Sequence, residues 1–240
     1  MTQLHMPVRV VKKRREAEGI CSFELASVSG VPLPAFTAGA HIDVHVQGLV
    51  RQYSLCNTSE STGSYRIAVL REPESRGGSA ALHEWVDENQ TLSISEPRNH
   101  FALEPEAPHS LLLAGGIGIT PILSMAQTLC NGGASFEMHY CARSPSRAAF
   151  LHYIESSTFS GQAYFHFDDG LAGQRLDLAR VIGHAAEGTH LYACGPAGFL
   201  ESVLATARAV GWPEYRIHRE YFAAPNSESE RKRMRPTVSS

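Results

Sequence analysis

Three short stretches and one pair of stretches carry residue types able to do chemistry. The first, Ser110 to Thr128, reads SLLLAGGIGITPILSMAQT. Its apolar run Leu111–Ala114 has the length of a buried strand. It turns through Gly115, Gly116 and Gly118 and continues with Ile119, Ile122, Leu123 and Ala126 at helical spacing. A strand, a glycine turn and a helix start make an anion site, because glycine lets backbone approach the anion while free amides and the helix dipole attract it. The dinucleotide fingerprint G-x-G-x-x-G is met in part. Gly116 and Gly118 fit, and Pro121 stands where the third glycine would be. Proline suits a first helical turn, where no amide donor is needed. A tight strand–helix turn without a ligand is the alternative reading.

The second stretch is Arg51-Gln52-Tyr53-Ser54-Leu55-Cys56-Asn57. In a strand Arg51 and Tyr53 share a face, with Ser54 on the other unless the strand bends. Arginine binds phosphate bidentately, an aromatic face covers a planar heterocycle, and a hydroxyl bonds a ring nitrogen. Those are the needs of a flavin, although an edge strand with a surface arginine would read the same way. The third, Arg76-Gly77-Gly78-Ser79, is either another anion cradle or a simple loop and cap. The fourth pairs Cys194-Gly195-Pro196 with Glu220-Tyr221-Phe222, both at ends of expected parallel strands, the edge where open α/β sheets bind ligands. Cys194 is a buried structural thiol or a neighbour of a reacting nicotinamide.

The elements that must position these residues fall into two patterns. Up to residue 105 the chain reads as six short strands (7–14, 20–26, 41–47, 50–56, 65–71, 91–96) separated by Gly, Pro, Ser and Asn, the pattern of a small antiparallel barrel. One helix, 79–86, interrupts it, with Ser79 as N-cap. From 106 to 224 strands and helices alternate: strands 111–114, 136–141, 163–167, 191–194 and 216–222, and helices 119–129, 148–156, 176–182 and 197–210. This predicts a β + α/β chain, a six-stranded flavin-binding barrel followed by a five-stranded parallel nucleotide-binding sheet with flanking helices. Residues 225–240 are polar and are expected to form a flexible tail, with Arg231, Lys232, Arg233 and Arg235 either solvated or a docking patch.

Composition narrows the function classes. The 240 residues are 43% hydrophobic and 19% charged, an ordinary globular balance, and the net charge of −3 calls for no nucleic acid. No apolar run approaches the roughly 20 residues that span a bilayer, and the N-terminus lacks the apolar stretch of a secretory signal. Five scattered cysteines, Cys21, Cys56, Cys130, Cys141 and Cys194, fit reduced thiols and a cytoplasmic location. They show no spacing for a zinc or iron–sulfur site, so no metal is expected.

Taken together, RQYSLCN, SRGGS, AGGIGITPILSMA, HYCARSPSRAAF, YACGP and REYF resemble the ferredoxin–NADP reductase superfamily, and within it the phthalate dioxygenase reductase and vanillate demethylase reductase branch. The resemblance runs from about Pro7 to Ala224. It implies a flavin held by the Arg51, Gln52, Tyr53, Ser54 and Leu55 segment, with Ser54 near the reactive ring nitrogen. Arg76, Gly77, Gly78 and Ser79 would receive its phosphate. Gly116, Gly118 and Thr120 would meet the nicotinamide dinucleotide, with Thr120 also near the flavin. Cys194, Gly195 and Pro196 would flank the nicotinamide, and Phe222 would stack on the flavin where the pyridine ring enters. Ser54, Thr120, Cys194 and Phe222 are thus the expected catalytic positions. The branch implies FMN rather than FAD, and NADH rather than NADPH. Against NADH, Cys141-Ala142-Arg143-Ser144 lacks the usual acidic residue, and Arg143 and Arg147 would favour a 2′-phosphate.

Relatives continue after the counterpart of Phe222 into a plant-type [2Fe–2S] ferredoxin domain, and this sequence ends at Ser240 without one. The expectation is a separate iron–sulfur partner, which makes this chain the flavin component serving a terminal oxygenase. A truncated chain is the other reading. A free flavin reductase and a flavin-binding relay or assembly subunit are the competing functions. Flavin retained on gel filtration would argue against the first, and bleaching by NADH against the second.

Overall fold

A computed structural model describes residues 5–58, 63–72 and 77–222. Arg76 and the expected tail lie outside the described residues. The first half forms one antiparallel sheet from β1 (His5–Ala17), β2 (Ile20–Ser27), β3 (His41–Val46), β4 (Leu49–Ser54), β5 (Ser64–Leu70) and β6 (Thr91–Ser95), in the order β4-β3-β6-β1-β2-β5. Leu55, directly after β4, bridges Ile67 of β5 and closes the sheet on itself. The alternation seen in sequence is the cause. Val8, Val10, Phe23, Leu25, Ile42, Val44, Ile67 and Ile94 point inward and are buried, and the residues between them face out.

One helix, α1 (Gly78–Trp85), crosses the barrel end. Its N-cap is Gly77, not Ser79 as expected. Gly77 sits at φ 92°, a left-handed conformation that glycine adopts without steric cost, and this starts the helix earlier. Ser79 therefore lies in the first turn and accepts a hydrogen bond from the Glu72 amide.

The second half is a parallel sheet of β7 (Ser110–Gly115), β8 (Phe136–Ala142), β9 (Ala163–Phe167), β10 (His190–Gly195) and β11 (Ile217–Tyr221), ordered β11-β10-β7-β8-β9. β7 is buried at every position, as a strand covered on both faces must be. Even-numbered residues such as Leu112, Met138 and Tyr192 pack with α2 (Ile119–Asn131). Odd-numbered Leu111, Leu113 and Leu191 pack with α4 (Leu178–Gly183) and α5 (Ala197–Ala209). The expected helix over 148–156 shrinks to α3 (Leu151–Glu155), because Phe150 takes a left-handed conformation ahead of it. α4 starts at Leu178 rather than 176, where the Asp177 carboxylate accepts from the Arg180 amide.

The two halves share a core: Ala17, Ala38, Cys56, Ala68 and Phe101 from the barrel side pack in one cluster with Ile119, Ile122 and Met125 of α2. Polar ties reinforce the join. Ser124 Oγ donates to the Asn57 carbonyl at 2.8 Å, the Glu18 amide donates to the Ser146 carbonyl at 2.8 Å, and Arg147 pairs with Glu18 at 3.1 Å. Among the described residues, no helix is long and apolar enough to cross a membrane.

Candidate functional site: a cleft between barrel and parallel sheet

Chain reversal fixes where the parallel sheet can bind a ligand. The order runs outward β7-β8-β9 and then returns to place β10 beside β7, so the switch point lies between β7 and β10 at their C-terminal ends. Both strands end in glycine there. A Cβ on Gly195 would sit 3.0 Å from Gly115 Cα, so the two backbones pass closer than side chains allow. Gly116, in the turn that follows, has φ +54° and open space where a side chain would be. Gly118 has the opposite situation, since a Cβ would fall 2.2 Å from the Cys194 carbonyl oxygen. The first glycine leaves room for a ligand and the second lets the start of α2 seat against β10. Pro121 falls in the first turn of α2, where no hydrogen bond is lost.

The barrel contributes the facing wall. In β4, Arg51 and Tyr53 are half-buried on one face while Val50 and Gln52 are exposed on the other, as alternation requires. Gln52 points toward His41 across 3.5 Å, away from Arg51. Leu55 is fully buried in the barrel core, so only its backbone remains for a ligand. Arg51 lies over the first turn of α1: a Cβ on Gly78 would stand 2.7 Å from its Cγ and Nε. A guanidinium against the start of a helix whose cap is glycine is a cradle for a phosphate. Burial pushes the Tyr53 phenol up to about 12, so it stays neutral and presents an uncharged ring.

The two walls meet at a hydrogen bond. Ser54, at the end of β4 and 3% exposed, donates from Oγ to Glu220 Oε2 at 3.1 Å. Glu220 lies in β11 opposite Cys194 of β10, and Cys194 lies opposite Ala114 of β7. Burial pushes the Glu220 carboxyl up to about 7, against the Ser54 hydrogen bond that lowers it. Burial, and then the Glu220 charge, hold the Cys194 thiol well above its usual range. With no exposed surface, Cys194 is a buried, neutral thiol of the core and not a nucleophile.

The other expected residues are placed as follows. Thr120 is buried and its Oγ1 donates to the Ile117 carbonyl, which shapes the glycine turn. Pro196 caps α5. Phe222 follows β11 and is 38% exposed, beyond the Gly195–Tyr221 pair. Arg143 is exposed just after β8, whereas Arg147 is engaged by Glu18. Sequence reasoning marked the Glu220-Tyr221-Phe222 segment but missed Glu220 as a site residue. The available signal was a lone acid in a strand whose neighbours end at the same sheet edge.

Comparisons with known proteins agree with this architecture. Residues 94–217 match the family model of the dimethylamine monooxygenase subunit DmmA-like N-terminal domain. The chain is 53% identical over 216 residues to a vanillate O-demethylase oxidoreductase of Pseudomonas putida, covering 90% of this chain and 68% of the relative. It is 37% identical over 224 residues to a phthalate dioxygenase reductase of Burkholderia cepacia, covering 92% and 69%. A solved phthalate dioxygenase reductase, described as a modular structure for electron transfer from pyridine nucleotides to [2Fe–2S], superposes with a TM-score of 0.87 at 36% identity over 94% of this chain and 70% of that one. The chain thus spans about two thirds of these relatives' length. With its barrel, its parallel sheet and these relatives, the chain belongs to the flavoprotein reductases that serve multicomponent oxygenases.

Proposed function

We propose that this chain binds FMN in the cleft, accepts a hydride from NADH and passes electrons one at a time to a [2Fe–2S] partner of an oxygenase. The observation that carries the reading is the Ser54–Glu220 hydrogen bond, which ties the barrel strand that bears Arg51 and Tyr53 to the sheet edge where β10 and β11 end. The residues fit a flavin mononucleotide: Arg51 and the first turn of α1 meet a phosphate, Tyr53 covers a ring, and Ser54 offers a hydroxyl at the junction. The bound flavin supplies the exchange between two-electron and one-electron chemistry.

The chain's own residues do the rest by positioning. Gly116 leaves room for the dinucleotide pyrophosphate beside the start of α2. Gly118 and Gly195 keep side chains out of the switch point, so the pyridine ring can approach closely, which hydride transfer requires. Cys194, buried beneath that edge of the sheet, keeps the floor of the site uncharged without touching the ring. Phe222, partly exposed just past β11, would stack where the pyridine ring enters. Glu220, poised near neutrality, holds or releases a proton next to Ser54 Oγ while charge arrives and leaves. Arg143 is exposed just after β8, and with Arg147 committed to Glu18 only one of the two arginines remains for a 2′-phosphate, in keeping with NADH. The 53% identity to the vanillate O-demethylase oxidoreductase supports an oxygenase as the final consumer of the electrons.

Releasing the bound cofactor and weighing it, then comparing turnover with NADH and NADPH, tests these assignments. FMN and a preference for NADH are expected. FAD, or a preference for NADPH, would overturn the corresponding part.

A further inference from the structure

A cavity of about 920 Å³ lies away from the cleft on the α4 face of the parallel sheet. Glu137 and His139 of β8 and His166 of β9 line it, with Tyr164, Arg180 and His184. Three contacts link four groups in a row. His139 Nε2 lies 2.5 Å from Glu137 Oε1, His139 Nδ1 lies 2.9 Å from His166 Nε2, and His166 Nδ1 lies 2.9 Å from the Gln174 carbonyl oxygen. The imidazoles are near-coplanar, 22° apart. The row climbs β8 and β9 to the C-terminal edge of the sheet.

Both ends of this row are acceptors. Three hydrogen bonds need three hydrogens, and two neutral imidazoles carry two. With neutral rings, the carboxylate takes its hydrogen from His139 Nε2, because charge-assisted bonds are the stronger kind. His139 Nδ1 then accepts from His166 Nε2, and His166 Nδ1 faces the Gln174 carbonyl with no hydrogen between them. One added proton satisfies all three contacts.

Gln174 belongs to the 168–177 loop. This loop continues the sheet edge where the Asp168 amide donates to the Ala142 carbonyl and the Asp169 amide to the Arg143 carbonyl. Arg175 donates to the Asp168 carbonyl, which closes the loop on itself. The loop therefore borders the end of β8, where the adenosine ribose of a dinucleotide is read in such sheets. We propose that Glu137, His139 and His166 are positioning residues for the dinucleotide: a proton taken up by this row fastens the 168–177 loop at the rim of the cleft. The proposal rests on the dinucleotide reading above.

With the loop fastened, the proton raises the number of satisfied contacts from two to three; with the loop released, the two contacts that remain are already satisfied without it, so fastening strengthens as pH falls. Burial lowers both imidazoles, placing the change below the ordinary histidine value. The other titratable and charged groups facing the row are Tyr164 of β9, stacked on His139 at 5.1 Å, Arg180 of α4, and His109, His184 and Glu187 around the cavity. Arg180 opposes the added proton and Glu137 favours it.

Two variants of the flavin-loaded protein test the idea in opposite directions. Glu137→Gln places an amide N–H against His139 Nε2 and supplies the third hydrogen without a proton. His166→Leu breaks the row. Hydrogen exchange of residues 168–177, corrected for intrinsic rates, and KM for NADH are measured from about pH 5 to about pH 8. In the wild type, loop exchange and KM should rise together about fivefold or more, the usual scale of such couplings, while kcat changes little. Glu137→Gln should stay at the low-pH values throughout, and His166→Leu at the high-pH values. Wild-type pH dependence persisting in Glu137→Gln, or unchanged loop exchange in His166→Leu, would overturn the proposal. Should NADH fail to react at all, the dinucleotide reading falls with it, and the loop exchange still reports separately on the row.

Discussion

Replacing Glu220 by glutamine should make the protein more stable at alkaline pH. The Glu220 carboxyl titrates at about 7 in the folded chain, against an ordinary value of 4.5. A carboxyl whose folded pKa is raised favours folding while protonated. That advantage is present below the unfolded value and is lost as pH rises through the folded one. The difference of about 2.5 units corresponds to an upper figure of about 3 kcal/mol by the linkage relation. Glutamine keeps an oxygen that accepts from Ser54 Oγ and carries no charge at any pH. In a chain of this size about 3 kcal/mol moves Tm by roughly 6–12 °C. Thermal melts of wild type and Glu220→Gln should therefore agree below about pH 4, diverge between about pH 4.5 and pH 7, and hold a constant gap above pH 7, with the variant higher. The comparison cancels the histidines, which titrate in both proteins. Parallel curves, or a variant less stable at pH 8.5, would refute the assignment of a strained, buried carboxyl to Glu220.

Four further outcomes follow from the geometry. Gly118→Ala forces a Cβ to within 2.2 Å of the Cys194 carbonyl, backbone that cannot swing away; it should cost about 1–3 kcal/mol in denaturant melts and weaken NADH binding. Arg51→Ala removes the guanidinium over the start of α1 and should shed flavin on gel filtration while leaving the far-ultraviolet circular dichroism spectrum unchanged. Arg147→Ala breaks an exposed ion pair with Glu18 and should cost no more than about 1 kcal/mol, with no change in the choice between NADH and NADPH, whereas Arg143→Ala should lower any residual NADPH use in steady-state assays.

Much of the fold was legible because hydrophobic period tracks backbone period. Among the described residues, all eleven strands were visible in alternation or short apolar runs, and four of the five α-helices lie within about two residues of the expected limits. The exception, α3, is short because Phe150 reaches a left-handed conformation that no local signal announces. The glycines at 77, 116 and 118 were readable as a pattern, but their separate tasks were not. Open space at Gly116 and a backbone 2.2 Å away at Gly118 depend on β10, some 75 residues later in sequence. Leu55 looked like its neighbours in the RQYSLCN segment, yet strand closure onto Ile67 turns it into the core. Arg147 looked free until the barrel supplied Glu18. Glu220 gained its role from Ser54, a partner 166 positions away, and no single-chain periodicity encodes such a contact.

The central claim is that a flavin sits between these two walls and is reduced there by a pyridine nucleotide. Anaerobic titration of the purified protein with NADH, followed by absorbance, tests it most directly. The account predicts a yellow protein whose bound flavin bleaches with about one equivalent of NADH. A protein that holds no flavin, or whose flavin NADH leaves oxidised, would contradict it.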